Sequence, residues 1–331
     1  MKSDKRYINL LKIIAMLFVI SMHVISKALP NYSVNTLEYN ILIFIDILLR
    51  SSVPIFVLIS GYLILNKKYT YNQLIHKLFK FYIYYFISNS IYLLLDRIVI
   101  NSIPFSINLL GSVLLDTLTF NTIYQMWYFK ILFITYITIP IFQYIIGKNN
   151  KLLDFIILGI LILTIQVIPN IITTFYSNYT YLLVFIIYFY LGYFINKYKF
   201  KYMNILLFVL FIISYVYTYK NTIRLDHDYV YLNFMFFNTM FISLFIFSIS
   251  EYFNKLLNNQ KVIDVVNYLA SNNFYIFLLH GGVIGLLSKL NIINIYYYDN
   301  LLLIINNTLL VYTVTLIISI VLNKIKRLIL R

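Results

Sequence analysis

The chain has no cysteine in its 331 residues, which excludes disulfides, thiol catalysis and any Cys-ligated metal. Charge is scarce as well. Asp, Glu, Lys and Arg together make up 11% of the residues, about half the fraction of a soluble domain. The eight glycines are scattered, so no glycine-rich loop is available to cradle a phosphate. No period-two alternation is sustained, which excludes a barrel. What is present is 62% hydrophobic, with 34 Tyr, 28 Phe and a mean hydropathy of +0.84. The class that fits is an all-α polytopic membrane protein, whose core is a helix bundle in lipid. The richness in Ile, Asn, Lys and Tyr points to an AT-rich bacterial genome.

Crossing a bilayer takes roughly 17–25 largely apolar residues. About ten runs meet or approach that length: Tyr7–Ser26, Asn40–Leu65, Leu78–Leu95, Met126–Ile146, Leu152–Ile168, Tyr181–Ile195, Met203–Tyr219, Tyr231–Tyr252, Ser271–Leu287 and Leu301–Leu322. The sixth is short and needs flanking residues or a thinned bilayer. The stretch Val99–Thr119, broken by Pro104, Gly111 and Asp116, reads as an ordered or re-entrant outer loop. With the amino terminus inside, 18 Lys and Arg fall in inner segments and five in outer ones. That bias predicts both termini in the cytoplasm, and an even number of spans agrees. The net charge of +15 then follows from topology and anionic inner-leaflet lipid, without nucleic acid as a partner. The first apolar run is too long for a signal peptide and no small-residue cleavage site follows, so it reads as a retained span. The expectation is one transmembrane domain over residues 1–331, with no appended soluble domain, in a bacterial plasma membrane.

Ionisable groups deep in lipid cost several kcal/mol unless paired or wetted, so each is a candidate for function. Lys12, Arg50, Lys130, His23 and His280 are such groups. Lys12 and His23 are eleven residues apart in "LLKIIAMLFVISMH". At about 100° per residue both project from one helix face, roughly 16 Å apart along the axis. Lys12 lies toward the cytoplasm, where a lysine can also snorkel, and His23 toward the outer side. In "DILLRSSVPIFVLISGYLIL", Asp46 and Arg50 form an i,i+4 pair that can neutralise itself. Arg50 is followed by Ser51, Ser52 and the helix-interrupting Pro54, and the wall reads as wet, cationic and kinked. In "SNNFYIFLLHGG", His280 lies nine residues beyond Ser271, about 13 Å deeper. Trp127 and Tyr128 read as aromatic anchors at the outer boundary, and Lys130 snorkels there. No metal is expected, because the four histidines show no HxH or HExxH spacing and no paired carboxylates. Nor is there a Ser-His-Asp order or a nucleophile elbow.

Together these segments resemble the acyltransferase 3 family of integral membrane acyltransferases. Lys12 and His23 match its basic residue and His separated by ten positions. Arg50, Pro54, Phe56, Ser60, Gly61 and Tyr62 match its second-helix stretch, Trp127 and Tyr128 the start of its fourth helix, and "YFYLGYFI" (188–195) its Gly-Tyr segment. "SNNFYIFLLH" is similar to the family's Ser-x-x-x-Tyr-x-x-x-x-His ending. The family usually has Arg where this chain has Lys12. Lysine keeps the positive charge but loses the bidentate fork.

The resemblance implies transfer of an acyl group, most often acetyl, from cytoplasmic acyl-CoA to a hydroxyl of a cell-surface or lipid-linked polysaccharide. Lys12, with Lys77 and Lys80 of the inner basic loop, would attract polyanionic CoA. An imidazole titrates near neutral pH, so His23 would serve as general base or as an acyl relay. Arg50 would stabilise an oxyanion or hold phosphate, and His280 would orient thioester or acceptor. Ser60, Trp127 and Tyr275 would shape the site. Membrane lipid and other glycan-synthesis proteins are the expected partners. Two alternatives stand beside this reading: a translocator of lipid-linked or polymeric glycan, and a scaffold for glycan synthesis. A translocator predicts paired broken helices in repeated halves, whereas only one Pro-interrupted segment is clear.

Overall fold

The structure, a computed structural model, describes residues 6–34, 36–171, 180–224, 232–233, 236–294 and 302–329. Among the described residues it is all-helical and contains no strand. Twelve α-helices follow in chain order: α1 Arg6–Ala28, α2 Leu37–Leu49, α3 Ser52–Ile64, α4 Tyr71–Leu95, α5 Ile107–Leu118, α6 Tyr128–Gly147, α7 Lys151–Ile171, α8 Thr180–Lys197, α9 Met203–Arg224, α10 Phe237–Ile249, α11 Gln260–Lys289 and α12 Leu302–Ile329. Helices close their backbone hydrogen bonds within one segment, which is what lipid demands.

Among the described residues seven helical segments are long and apolar enough to cross a membrane: Arg6–Asn31, Leu37–Ile64, Tyr71–Ile100, Tyr124–Gly147, Met203–Ile223, Gln260–Lys289 and Leu302–Ile325. The chain is a multi-pass membrane protein. The other three expected spans fall on α7, α8 and α10. The apolar part of α8 is short (Leu182–Lys197), and α10 has 13 residues. The far end of α7 carries no described side chains, and of the expected ends Tyr231 and Leu301 lie outside the described residues.

Helix starts follow local chemistry. Thr36, Thr70, Ser106 and Asn259 each accept from a backbone N–H in the first turn of α2, α4, α5 and α11. Thr70 and Gln73 complete a reciprocal capping box. The Val99–Thr119 stretch is ordered and contains α5. Its Asp116, which looked like a helix breaker, is ion-paired with Arg97.

The helices form two compact units. One holds residues 1–63 and 191–331, the other residues 64–190. In the second, Asn89 of α4 donates to the Asn121 carbonyl at 3.1 Å and accepts from the Ile123 N–H at 3.2 Å, tying α4 to the segment after α5. Tyr190 donates to buried Asp154 of α7 at 3.1 Å. In the first unit, α1 packs against α11, α12 and α2, and α9 against α10 and α2. Gly192 of α8 lies directly on the backbone of Leu58 in α3, where a Cβ would collide with the Leu58 carbonyl. Glycine there permits that close approach.

The second expected span is broken. The helix stops after Leu49 and restarts at Ser52, with Arg50 and Ser51 in a turn. Pro54 itself lies inside the first turn of α3.

Candidate functional site

The site is built on α1 and α11, which run parallel. Near one end Asn9 Nδ2 donates to Asn267 Oδ1 at 2.9 Å. Near the other, the rings of His23 and His280 face each other with centroids 5.3 Å apart and planes at 34°. These two links lie fourteen residues apart on α1 and thirteen on α11, about 20 Å along each axis. One register therefore holds over most of a bilayer's thickness.

His280 is completely buried, at 0% exposure. Its Nδ1 lies 2.7 Å from the carbonyl of Phe277. A carbonyl only accepts, so the neutral ring carries its proton on Nδ1 and its lone pair on Nε2. That Nε2 is buried and has no hydrogen-bond partner among the described residues. His23 is half-buried. Together the two rings offer a buried basic nitrogen beside a more accessible imidazole.

Arg50 stands at the break between α2 and α3. Its Nε donates to Asp46 Oδ2 at 3.0 Å, and its terminal nitrogen lies 2.9 Å from the same oxygen. Asp46 is fully buried and its Oδ1 has no partner among the described residues. The charges of Arg50 and Lys27 act on the His23 ring from neighbouring positions. Ser52 opens α3 with a buried hydroxyl that also lacks a partner among the described residues.

Lys12 donates to Asn9 Oδ1 at 3.2 Å, which joins it through Asn9 to Asn267. A polar seam from α12 completes the wall. Ser21 and Thr308 hydroxyls are 3.2 Å apart. Asn323 and Ser319 donate to Asn272 Oδ1 at 2.7 and 3.3 Å.

His23, His280, Arg50 and Lys12 thus all belong to the first unit. Lys77 and Lys80 belong to the second, where Lys77 lies over the Tyr69 ring at 4.0 Å and Lys80 is exposed. Ser60 donates to the Phe56 carbonyl within α3, and Trp127 packs on Phe185. Ser271 is exposed and bonds the Tyr268 carbonyl. His227 lies outside the described residues. Among the described residues no group of three His, Cys, Asp or Glu is placed to hold a metal.

Sequence reasoning placed Ser52 in the polar wall but missed Asn9, Asn267, Asn272 and Asn273. The available signal was spacing: Asn273 precedes His280 by seven residues, two turns on one face.

A family model for an acyltransferase domain matches residues 5–324. The chain belongs to the acyltransferase 3 family. No curated protein and no solved structure matches it. As a member, it is a membrane acyltransferase.

Proposed function

We propose that this acyltransferase moves an acyl group, acetyl foremost, from cytoplasmic acyl-CoA to a hydroxyl of a cell-surface or lipid-linked glycan at a bacterial plasma membrane. One observation carries the reading: the His23–His280 ring pair, with a buried unpartnered Nε2, on the helix face that bears Lys12 farther inward. Acyl transfer between a thioester and a hydroxyl needs a base for the hydroxyl proton and positive charge for the developing oxyanion.

In the proposed reaction His23 takes the proton of the acceptor hydroxyl, and that oxygen attacks the thioester carbonyl carbon. The tetrahedral intermediate places its negative charge near the Arg50 guanidinium, then collapses with cleavage of the carbon–sulfur bond. The leaving thiolate of CoA takes the proton back from the His23 imidazolium. His280, its proton fixed on Nδ1 by the Phe277 carbonyl, presents Nε2 to orient the His23 ring or the acceptor. Lys12 attracts the polyanionic end of the donor from the cytoplasmic side, and Lys77 and Lys80 draw polyanions to the inner membrane surface.

The test uses inner-membrane vesicles supplied with labelled acetyl-CoA, comparing the natural protein with His23→Ala at matched expression. Label should enter glycan or lipid-linked sugar, and fall by about 10²–10⁴-fold in the variant. Equal label from both proteins would remove His23 from the chemistry. Silence with acetyl, succinyl and other donors, alongside a glycan-export defect in cells lacking the protein, would favour the translocator reading instead.

A further inference from the structure

Two adjacent asparagines in α11 have opposite surroundings. Asn272 is fully engaged: its Nδ2 donates to the Tyr268 carbonyl at 2.9 Å, and its Oδ1 accepts from Asn323 and Ser319. Asn273 is buried, at 6% exposure, yet neither its Nδ2 nor its Oδ1 has a hydrogen-bond partner among the described residues. A buried carboxamide with both ends unsatisfied is costly and uncommon in native structures. Such a group is fitted to receive something that brings one donor and one acceptor together. A secondary amide is that partner.

We propose that Asn273 binds the pantetheine arm of the donor, pairing its carboxamide with the amide nearer the nucleotide. The proposal rests on the acyl-CoA reading above. Its main argument is spacing. Asn273 lies seven residues before His280, within about 20° of the same face and roughly 10 Å inward. In an acyl-CoA seven bonds separate the thioester sulfur from the nitrogen of that amide. An extended chain advances a little over 1 Å per bond, so the gap is roughly 8–9 Å. The first amide, three bonds from sulfur, falls far short.

The remaining length also matches. The α1–α11 register places Lys12 opposite residues 269–270, three to four residues and roughly 5–6 Å inward of Asn273. Five bonds, again roughly 6 Å, separate the amide carbonyl carbon from the first phosphorus. His280, Asn273 and Lys12 therefore follow one another as thioester, amide and phosphate do. The paired His23 and His280 rings turn the relevant faces of α1 and α11 toward each other.

The experiment measures acetyl transfer by the full-length protein in lipid vesicles with two donors: acetyl-CoA, and an analogue whose second amide is an ester and so lacks the N–H. The natural protein should show KM raised about tenfold for the ester, the worth of one hydrogen bond left unmade, with kcat within about twofold. Asn273→Leu should raise KM for acetyl-CoA by at least as much, and should show no further rise with the ester. Equal KM for both donors in the natural protein overturns the proposal. So does a loss in Asn273→Leu that falls on kcat and is the same for both donors, since that is a packing effect. If Asn273→Leu does not fold, the two-donor comparison on the natural protein decides alone. No transfer by the natural protein from acetyl-CoA, succinyl-CoA or another acyl-CoA fails the donor reading and this inference with it, whereas transfer with equal KM fails this inference only.

Discussion

At the scale of single residues, the pair Asp46–Arg50 separates stability from chemistry. Asp46 is completely buried, and its only ion-pair partner among the described residues is Arg50. Arg50→Gln leaves that carboxylate uncompensated, which should cost about 3–5 kcal/mol and lower the thermal midpoint in detergent. Adding Asp46→Asn removes the buried charge and should restore most of the midpoint. Transfer should nevertheless stay down by about 10²-fold, the usual worth of one oxyanion-stabilising group. A double variant as active as the natural protein would leave Arg50 a purely structural residue. Arg50, Lys12, His23 and His280 were legible because ionisable groups interrupt apolar runs and stand out by their cost. Asn273 was not, because the orphaning of an amide is a fact about neighbours. Whether Asn272 or Asn273 meets Ser319 and Asn323 depends on how α12 is rotated against α11, and no local pattern records that rotation.

At the scale of elements, the positions of the helices were largely legible and their interruptions less so. Pro54 predicted a break, and the break lies at Arg50, four residues upstream. Proline has no N–H to give the carbonyl four positions before it, and its ring crowds that carbonyl. The disruption therefore appears a full turn ahead of its cause, which places Arg50 in the turn. α11 begins at Gln260 rather than near Ser271, because Lys261 and Asp264 hide its first turns from a hydropathy reading. Two glycines show how context decides an element's tolerance. Gly192→Ala would drive a Cβ into the Leu58 carbonyl and force α8 from α3, an overpacking that should cost about 1–3 kcal/mol. Gly111, inside α5, has open space around it. Gly111→Ala should stabilise by about 0.8–1 kcal/mol, the difference in helix propensity. Thermal unfolding of the two variants should shift in opposite directions; an unchanged or raised midpoint for Gly192→Ala would contradict the close α3–α8 contact.

At the scale of the whole molecule, the parallel course of α1 and α11 constrains topology. Two helices that cross in the same direction have an odd number of crossings between them. Four of the long apolar segments lie between α1 and α11: Leu37–Ile64, Tyr71–Ile100, Tyr124–Gly147 and Met203–Ile223. Parity then requires one or three further crossings among α7, α8 and α10. Three crossings yield the ten spans expected from hydropathy, and place both chain ends on the side where the basic residues gather. The chain contains no cysteine, so single cysteines can report sidedness without background. Intact cells treated with an impermeant maleimide should label Lys27→Cys and Lys289→Cys, both exposed in the last turns of their helices. They should leave Lys68→Cys and Lys255→Cys unlabelled until the membrane is opened. The position that first divides the possibilities is Thr180→Cys, at the start of α8. Labelling there from outside means that α7 crosses; α8 and α10 then either both cross, giving ten spans and leaving Lys199→Cys, between α8 and α9, protected, or both fail to cross, giving eight and exposing Lys199→Cys to the reagent. Labelling only after opening the membrane means that α7 does not cross, that α8 or α10 supplies the single extra crossing, and that the bundle has eight.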